Sequence, residues 1–281
     1  MKLLTIGNPK IAKGIKLGYL TAVLHLAPFK ASGYQVCPMA EQAGCWHGCL
    51  NTAGRGGISA GSKTYTPHGI TLPDNAIQRA RIERTRYYAE DRSGFMQQLS
   101  KEIELHIKRC NREGLKPAVR LNGTSDIQWE RGHRVPRLSP GARQLIKSSP
   151  HATLKRTGSI LTVSHPSVFA AFPEVQFYDY TKIYKRFDRP LPANYHLTLS
   201  YSTASKDYAA ECVNTRIKHG ASLAVVTSNY DATALRLEQA CNTVVDGDAH
   251  DLRFTDPADC IVLLRAKGRA KHDTSGFVLD Y

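Results

Sequence analysis

The stretch Ile15–Pro28, IKLGYLTAVLHLAP, reads as a β-strand that stops at Pro28, and a loop rich in glycine and cysteine follows it. Seven glycines fall between Ser32 and Gly61, and a backbone with so little side-chain bulk can wrap closely around a bound group. Further along, Thr71 and Pro73-Asp74 mark the start of a long helical region, since threonine caps a helix and proline suits its first turn. Gly94 divides that region, with a restart at Asp91–Ser93. Leu99, Ile103, Ile107 and Cys110 then share one helical face up to a stop at Gly114. Short apolar runs follow: PAVRLNG (117–123), VQFYDYTK (175–182), YHLTLSYS (195–202), SLAVVTSN (222–229), NTVVDGD (242–248) and CIVLLRA (260–266). Helical patterns over Tyr208–His219 and Ala232–Ala240 lie between some of them. Strand and helix alternating at this pace predict a mainly parallel sheet. With the first run there are about seven strands, and no G-x-G-x-x-G follows the first of them. The expected fold is therefore α/β, a partial or full (β/α) barrel. An apolar content of 42% in 281 residues suffices for one such domain over 1–281.

Thirty-eight Lys and Arg against 24 Asp and Glu give a net charge of +14, which favours polyanion partners. Much of it sits in one segment. Between Arg131 and Pro173 there is no acidic residue, while Arg131, Arg134, Arg137, Arg143, Lys147, Lys155 and Arg156 are basic and His133, His151 and His165 add to them. Pro136, Pro140, Pro150 and Pro166 discourage long regular structure there. The segment 131–173 reads as a basic insertion whose Arg131–Arg156 part clamps a nucleic acid or nucleotide, with a solvated surface loop as the plain alternative. No apolar run reaches 18 residues, and MKLLTIGNPKIAKG lacks the apolar centre and cleavage site of a signal peptide. A cytoplasmic protein without membrane contact is expected.

Seven cysteines, an odd number, argue against a disulfide framework. Cys110, Cys212, Cys241 and Cys260 are scattered in apolar or helical surroundings, as small core residues are. Cys37, Cys45 and Cys49 are different. They form C-x7-C-x3-C inside the glycine-rich loop. Soft thiolates select iron–sulfur clusters, zinc or copper. Three ligands leave a coordination position open, as reactive centres do. Zinc is the main competitor, because His47 could close a Cys3His site, although ligands spaced two residues apart on both sides strain one tetrahedron. The loop also follows the first strand, so it falls at the carboxyl end of the sheet, where barrel active sites are assembled.

The arrangement resembles the radical S-adenosylmethionine (SAM) superfamily, whose partial barrel carries a three-cysteine loop after its first strand. The resemblance implies a [4Fe–4S] cluster on Cys37, Cys45 and Cys49, SAM on the fourth iron, and an external electron donor. The usual spacing there is C-x3-C-x2-C, from which this loop departs. A second resemblance covers nearly the whole chain. GYLTAVLHLAP, SGYQVCPMA, CLNTAGRG, RLNGTSD, FYDYTK, DGDAHDLRF and AKGRAKHDTSGF, in that order, are similar to the phage "gene product 88" family. That likeness implies a phage or prophage origin, hence the host cytoplasm, and a shared fold, but no reaction. The 131–173 segment is longer than that family leads one to expect.

Strand ends supply the remaining candidates. By the radical SAM resemblance, Asn122, Ser125 and Asp126 after the second strand meet the amino group of SAM; otherwise they cap the next segment. Asp179, Tyr180 and Lys182 offer an acid, a phenol and an amine, and alternation puts Asp179 and Tyr180 on opposite faces. Ser200 and Ser202 share a face and suit a SAM carboxylate or a substrate phosphate. Asp246, Asp248, His250 and Asp251 look like a hard-metal site, although Asp and Gly are also ordinary turn residues. The leading expectation is an iron–sulfur enzyme of radical SAM type acting on a nucleotide or nucleic acid, with Asp179, Lys182 and Asp248 as catalytic candidates. The alternatives are a divalent-metal nuclease or phosphodiesterase built on Asp246, Asp248 and His250 with structural zinc, and a non-catalytic nucleic-acid-binding protein.

Overall fold

A computed structural model describes residues 1–281 apart from positions 8, 60, 62, 139–152, 158–159, 241 and 281; at 9–10, 138, 154–157 and 160–162 it describes the backbone alone. Strand β1 (Leu4–Thr5) leads through α1 (Pro9–Ile15) into β2 (Tyr19–Leu24). Helix α2 (Phe29–Ser32) opens the cysteine loop, and α3 (Ala76–Glu90) and α4 (Arg92–Arg112) return the chain to β3 (Lys116–Arg120). There follow β4 (Gln176–Thr181), β5 (Tyr195–Ser200), α5 (Lys206–His219), β6 (Leu223–Thr227) and α6 (Tyr230–Gln239). The chain closes with β7 (Val244–Asp246), β8 (Ile261–Arg265) and β9 (Val278–Leu279).

These nine strands form one sheet in the order β1-β2-β3-β4-β5-β6-β8-β7, with β9 beside β6. Only β1, against β2, is antiparallel. Among the described residues the edge strands β1 and β7 do not pair with each other, so the sheet is open and the full-barrel expectation is corrected. The first strand is also shorter than its apolar run, because Ile15 ends α1 and Gly18, at φ +80°, turns the chain into β2. Helix α3 starts at Asn75, whose side chain accepts the Gln78 N–H at 2.9 Å, rather than near Thr71. Asp91 breaks α3 from α4 and accepts the Gly94 N–H at 2.8 Å.

Alternation along the strands divides the interior. Ala22, Leu24, Val119, Phe177, Tyr195 and Leu197 pack with Phe95, Met96, Leu99 and Ile103 of α4. Leu199, Leu223, Val225, Ile261 and Leu263 pack with Tyr208 and Cys212 of α5 and against α6. The helices thus share one face, as successive parallel crossovers of one hand require. The other face carries Ala118, Tyr178, Tyr180, Ala224, Val262 and Leu264, and residues Leu252 and Phe254 cross over part of it.

The basic segment is partly folded. Val135–Leu138, Ile160–His165 and Thr153–Thr157 form an antiparallel three-stranded sheet. His133 and His165 are buried, His133 against the Tyr88 hydroxyl at 2.8 Å, and Arg137 pairs with Glu174 at 2.6 Å. Pro140, Arg143, Lys147, Pro150 and His151 lie outside the described residues, as do the side chains of Lys155 and Arg156. Cys110, Cys212 and Cys260 are buried as expected, and Cys241 lies outside the described residues.

Candidate functional site

A cavity of about 310 Å³ sits at the carboxyl ends of β3, β4, β5, β6 and β8. Cys37, Cys45 and Cys49 all line it, with Met39, Gly48, Lys182, Ser200 and Phe277. On the sheet side it is lined by Arg120, Tyr180, Ala224, Val226, Asp251 and Leu264. The expectation that the cysteine loop lies at the carboxyl end of the sheet agrees with this placement.

The loop is tied down from several directions. Asp126 N–H donates to the Val36 carbonyl at 2.7 Å, Ser202 Oγ to the Ala43 carbonyl at 2.8 Å, and Ser275 Oγ to the Gly44 carbonyl at 3.0 Å. Gly48 is closely packed, since a Cβ there would meet Ala270 at 3.1 Å and Phe277 at 3.3 Å. The three thiols are free. Burial pushes the Cys45 thiol up to about 11 and raises Cys37 and Cys49 as well. Cys37 is raised further by Cys49, Asp126 and Cys45, so these sulfurs act on one another, while Lys182 opposes the rise at Cys45 and Cys49. Among the described residues, no three His, Cys, Asp or Glu side chains stand close enough together to hold a metal ion.

The predicted residues separate into three groups. Lys182 and Ser200 meet in the cavity, Lys182 Nζ donating to Ser200 Oγ at 2.7 Å and lying 4.6 Å from the Phe277 ring centre. Asn122, Ser125 and Asp126 line the cavity, but their polar atoms hold the chain. Asn122 Oδ1 accepts from Ser125 Oγ, Ile127 N–H and Trp129 Nε1–H. Asp126 accepts from Thr181 Oγ1 at 2.8 Å, Lys182 N–H at 2.7 Å and Arg186 at 3.2 Å. Asp179, Ser202 and Asp248 do not line the cavity. Asp179 lies among the helix-side residues, accepting the Asn122 N–H at 2.8 Å and the Tyr195 hydroxyl at 3.1 Å, and burial pushes it up to about 7.

The acidic turn is also engaged. Asp248 is ion-paired with Lys267 and with Arg265 at 3.6 Å, Asp246 with Arg265 at 3.5 Å, and Asp251 with Arg120 at 2.5 Å. His250 Nδ1 accepts the Leu252 N–H at 3.2 Å. Arg265 at the end of β8 and Lys267 just beyond it hold Asp246 and Asp248, and Arg120 of β3 holds Asp251. His47 lines a second cavity, of about 150 Å³, with Cys37, Cys49, Lys30 and Trp46, and Cys45 is not among its lining residues. Arg120 and Asp251 also line the cavity, a place that local sequence does not give them. Arg120 had one usable signal, namely that it lies on the same face as Ala118, opposite Val119.

No helix among the described residues is long and apolar enough to cross a membrane. No curated protein and no solved structure matches the chain. One family model, described as Gene product 88, matches residues 2–281, and the chain belongs to that family.

Proposed function

We propose that Cys37, Cys45 and Cys49 carry a [4Fe–4S] cluster in an iron–sulfur enzyme of radical SAM type acting on a nucleotide or nucleic acid during phage infection. The supporting observation is that three free thiols line one cavity at the carboxyl ends of parallel strands. A thiolate-only donor set suits iron–sulfur chemistry. A polynuclear cluster takes its thiolates at separate corners, so its ligands stand wider apart than those of a single ion. Bound there with SAM, the group supplies one-electron chemistry, and an external donor must deliver the electron.

The chain's own residues have definable work. Lys182 and Ser200, beside Cys45, offer a cation and a hydroxyl to a carboxylate or phosphate. Arg120, Asp251 and Tyr180 offer donors and an acceptor to a polar substrate head. Met39, Val226, Leu264 and Phe277 exclude water. Lys182 at the same cavity, with a hydroxyl as its partner and in a chain of net charge +14, favours a phosphate-bearing substrate.

Anaerobic purification with added iron and sulfide tests the reading. A brown protein absorbing near ~400 nm, with about four irons per chain, is expected. That colour should be lost in Cys37→Ser, Cys45→Ser and Cys49→Ser, and SAM should perturb the spectrum of the reduced protein. A colourless protein holding one tight zinc, or iron uptake equal in the serine variants, refutes it.

A further inference from the structure

Arg81 lies on α3 with its side chain 8% exposed. Its Nη1 donates to the Asn51 carbonyl at 2.6 Å and to Asn51 Oδ1 at 3.0 Å, both neutral acceptors. Among the described residues no carboxylate comes within ion-pairing distance of it. The neighbouring buried Arg84, by contrast, has Glu102 and Glu83 nearby. A buried guanidinium with only neutral partners is unfavourable unless an anion neutralises it. Among the described residues, the nearby group that could take the opposite sign, once deprotonated as a ligand, is the Cys49 sulfur. The two are also joined through Asn51, which takes the Arg81 hydrogen bonds and donates its own N–H to Cys49 Sγ at 3.5 Å.

The guanidinium is held in place for this contact. Gln78 Nε2 donates to the Asn51 carbonyl at 2.7 Å and to the Gly56 carbonyl at 2.8 Å, and Asn51 Nδ2 donates to Gln78 Oε1 at 2.8 Å. A Cβ at Gly56 would stand 2.8 Å from the Asn51 carbonyl oxygen and 3.1 Å from Arg81 Nη1, so only glycine leaves the space.

We propose that Arg81 is the built-in counter-ion of the cysteine-bound centre, a positioning residue that acts through Asn51 to raise the reduction potential at Cys49. The inference rests on the cluster reading above. A fixed buried cation favours the form that has gained an electron, and an N–H bond to a ligand sulfur works in the same direction.

The test is a redox titration of the reconstituted full-length protein, followed by its visible or paramagnetic spectrum. Arg81→Gln should load iron and titrate at lower potential. At a fixed poise its oxidised-to-reduced ratio should rise at least tenfold, which is about 59 mV for one electron. Arg81→Lys should keep most of the wild-type potential. If Arg81→Gln fails to fold or to load, Asn51→Asp sets a carboxylate against the guanidinium and must show the same negative shift. A loaded Arg81→Gln or Asn51→Asp protein at the wild-type potential overturns the role of Arg81 and leaves the cluster standing. A wild-type protein that assembles no cluster overturns both.

Discussion

Replacing Arg186 by Met tests the frame that holds the cysteine loop. The Arg186 side chain is fully buried; it pairs with Glu130 through Nε at 2.9 Å and Nη2 at 2.7 Å, and with Asp126 through Nη1 at 3.2 Å. Nη2 also donates to the Tyr195 hydroxyl, which in turn donates to Asp179. Met keeps most of the buried stem and adds no large void. The cost is therefore that of leaving two largely buried carboxylates without their cation, about 3–5 kcal/mol when a buried pair loses one partner. At roughly 2 °C per kcal/mol for a chain of this size, Tm should fall by about 6–10 °C. Arg186→Lys should recover little, because an ammonium cannot span Glu130 and Asp126 with a planar fork.

The variant should also respond to pH in a set direction. Burial already raises Asp126, and Arg186 is the largest of the effects opposing that rise. Without the guanidinium the folded-state pKa climbs further above its unfolded value. The folded variant then binds a proton that the unfolded chain does not, and its stability increases as pH falls. The gap to wild type should thus narrow between pH 7 and pH 5 in urea denaturation. Because Asp126 N–H anchors Val36 next to Cys37, iron loading should fall as well. A loss under about 1 kcal/mol, or a gap that widens on acidification, refutes the argument.

Two further outcomes follow from the same geometry. Burial holds His25 down to about 3 and His133 down to about 4, with nearby arginines adding to the effect. The unfolded chain takes up these protons first, so the stability of the neutral rings is complete above pH 6.5 and drains away as pH falls. At about 1.4 kcal/mol per pH unit, His133 alone accounts for roughly 3 kcal/mol by pH 4. His133→Leu should flatten the wild-type profile over that range by chemical denaturation, and an unchanged slope contradicts this. Asp179, pushed up to about 7, works in the opposite sense, so the comparison is made variant against wild type at each pH. Asp248→Asn removes a partly exposed pair with Lys267 and should cost under about 1 kcal/mol, with iron content unchanged. Loss of a metal-dependent phosphodiester cleavage in that variant would favour the hydrolytic reading instead.

Much of the sheet was legible because buried parallel strands and their crossover helices carry local signals. The runs at 175–182, 195–202 and 222–229 contain β4, β5 and β6, and Tyr208–His219 falls inside α5, which Ser205 caps. The misses are long-range. Whether the sheet closes depends on its edges, and β1 has two residues and β7 three, too few for any periodicity. The order β6-β8-β7 follows from β8 pairing with both neighbours, which no local pattern expresses. In the basic segment, charge density hid an antiparallel sheet whose His165 is buried.

The site divides along the same line. The cysteines were legible because a loop leaving a parallel strand must emerge at its carboxyl end, whatever it later binds. Alternation also separated Asp179 from Tyr180, but which of them faces the cavity depends on which face the helices cover. The acidic turn shows the limit most clearly. Asp246 and Asp248 have the local chemistry of a cation site, and the cations they hold are Arg265 and Lys267, delivered by a strand nineteen residues further on. Arg81 is one of four arginines on a single helix, with Arg79, Arg84 and Arg86. Arg79, an exposed neighbour, has Asp74 as its partner. What distinguishes Arg81 is that the fold buries it against Asn51, near Cys49, with no carboxylate in ion-pairing distance among the described residues. A cation placed so needs an anion, and the cysteine loop is the part of the structure able to supply one.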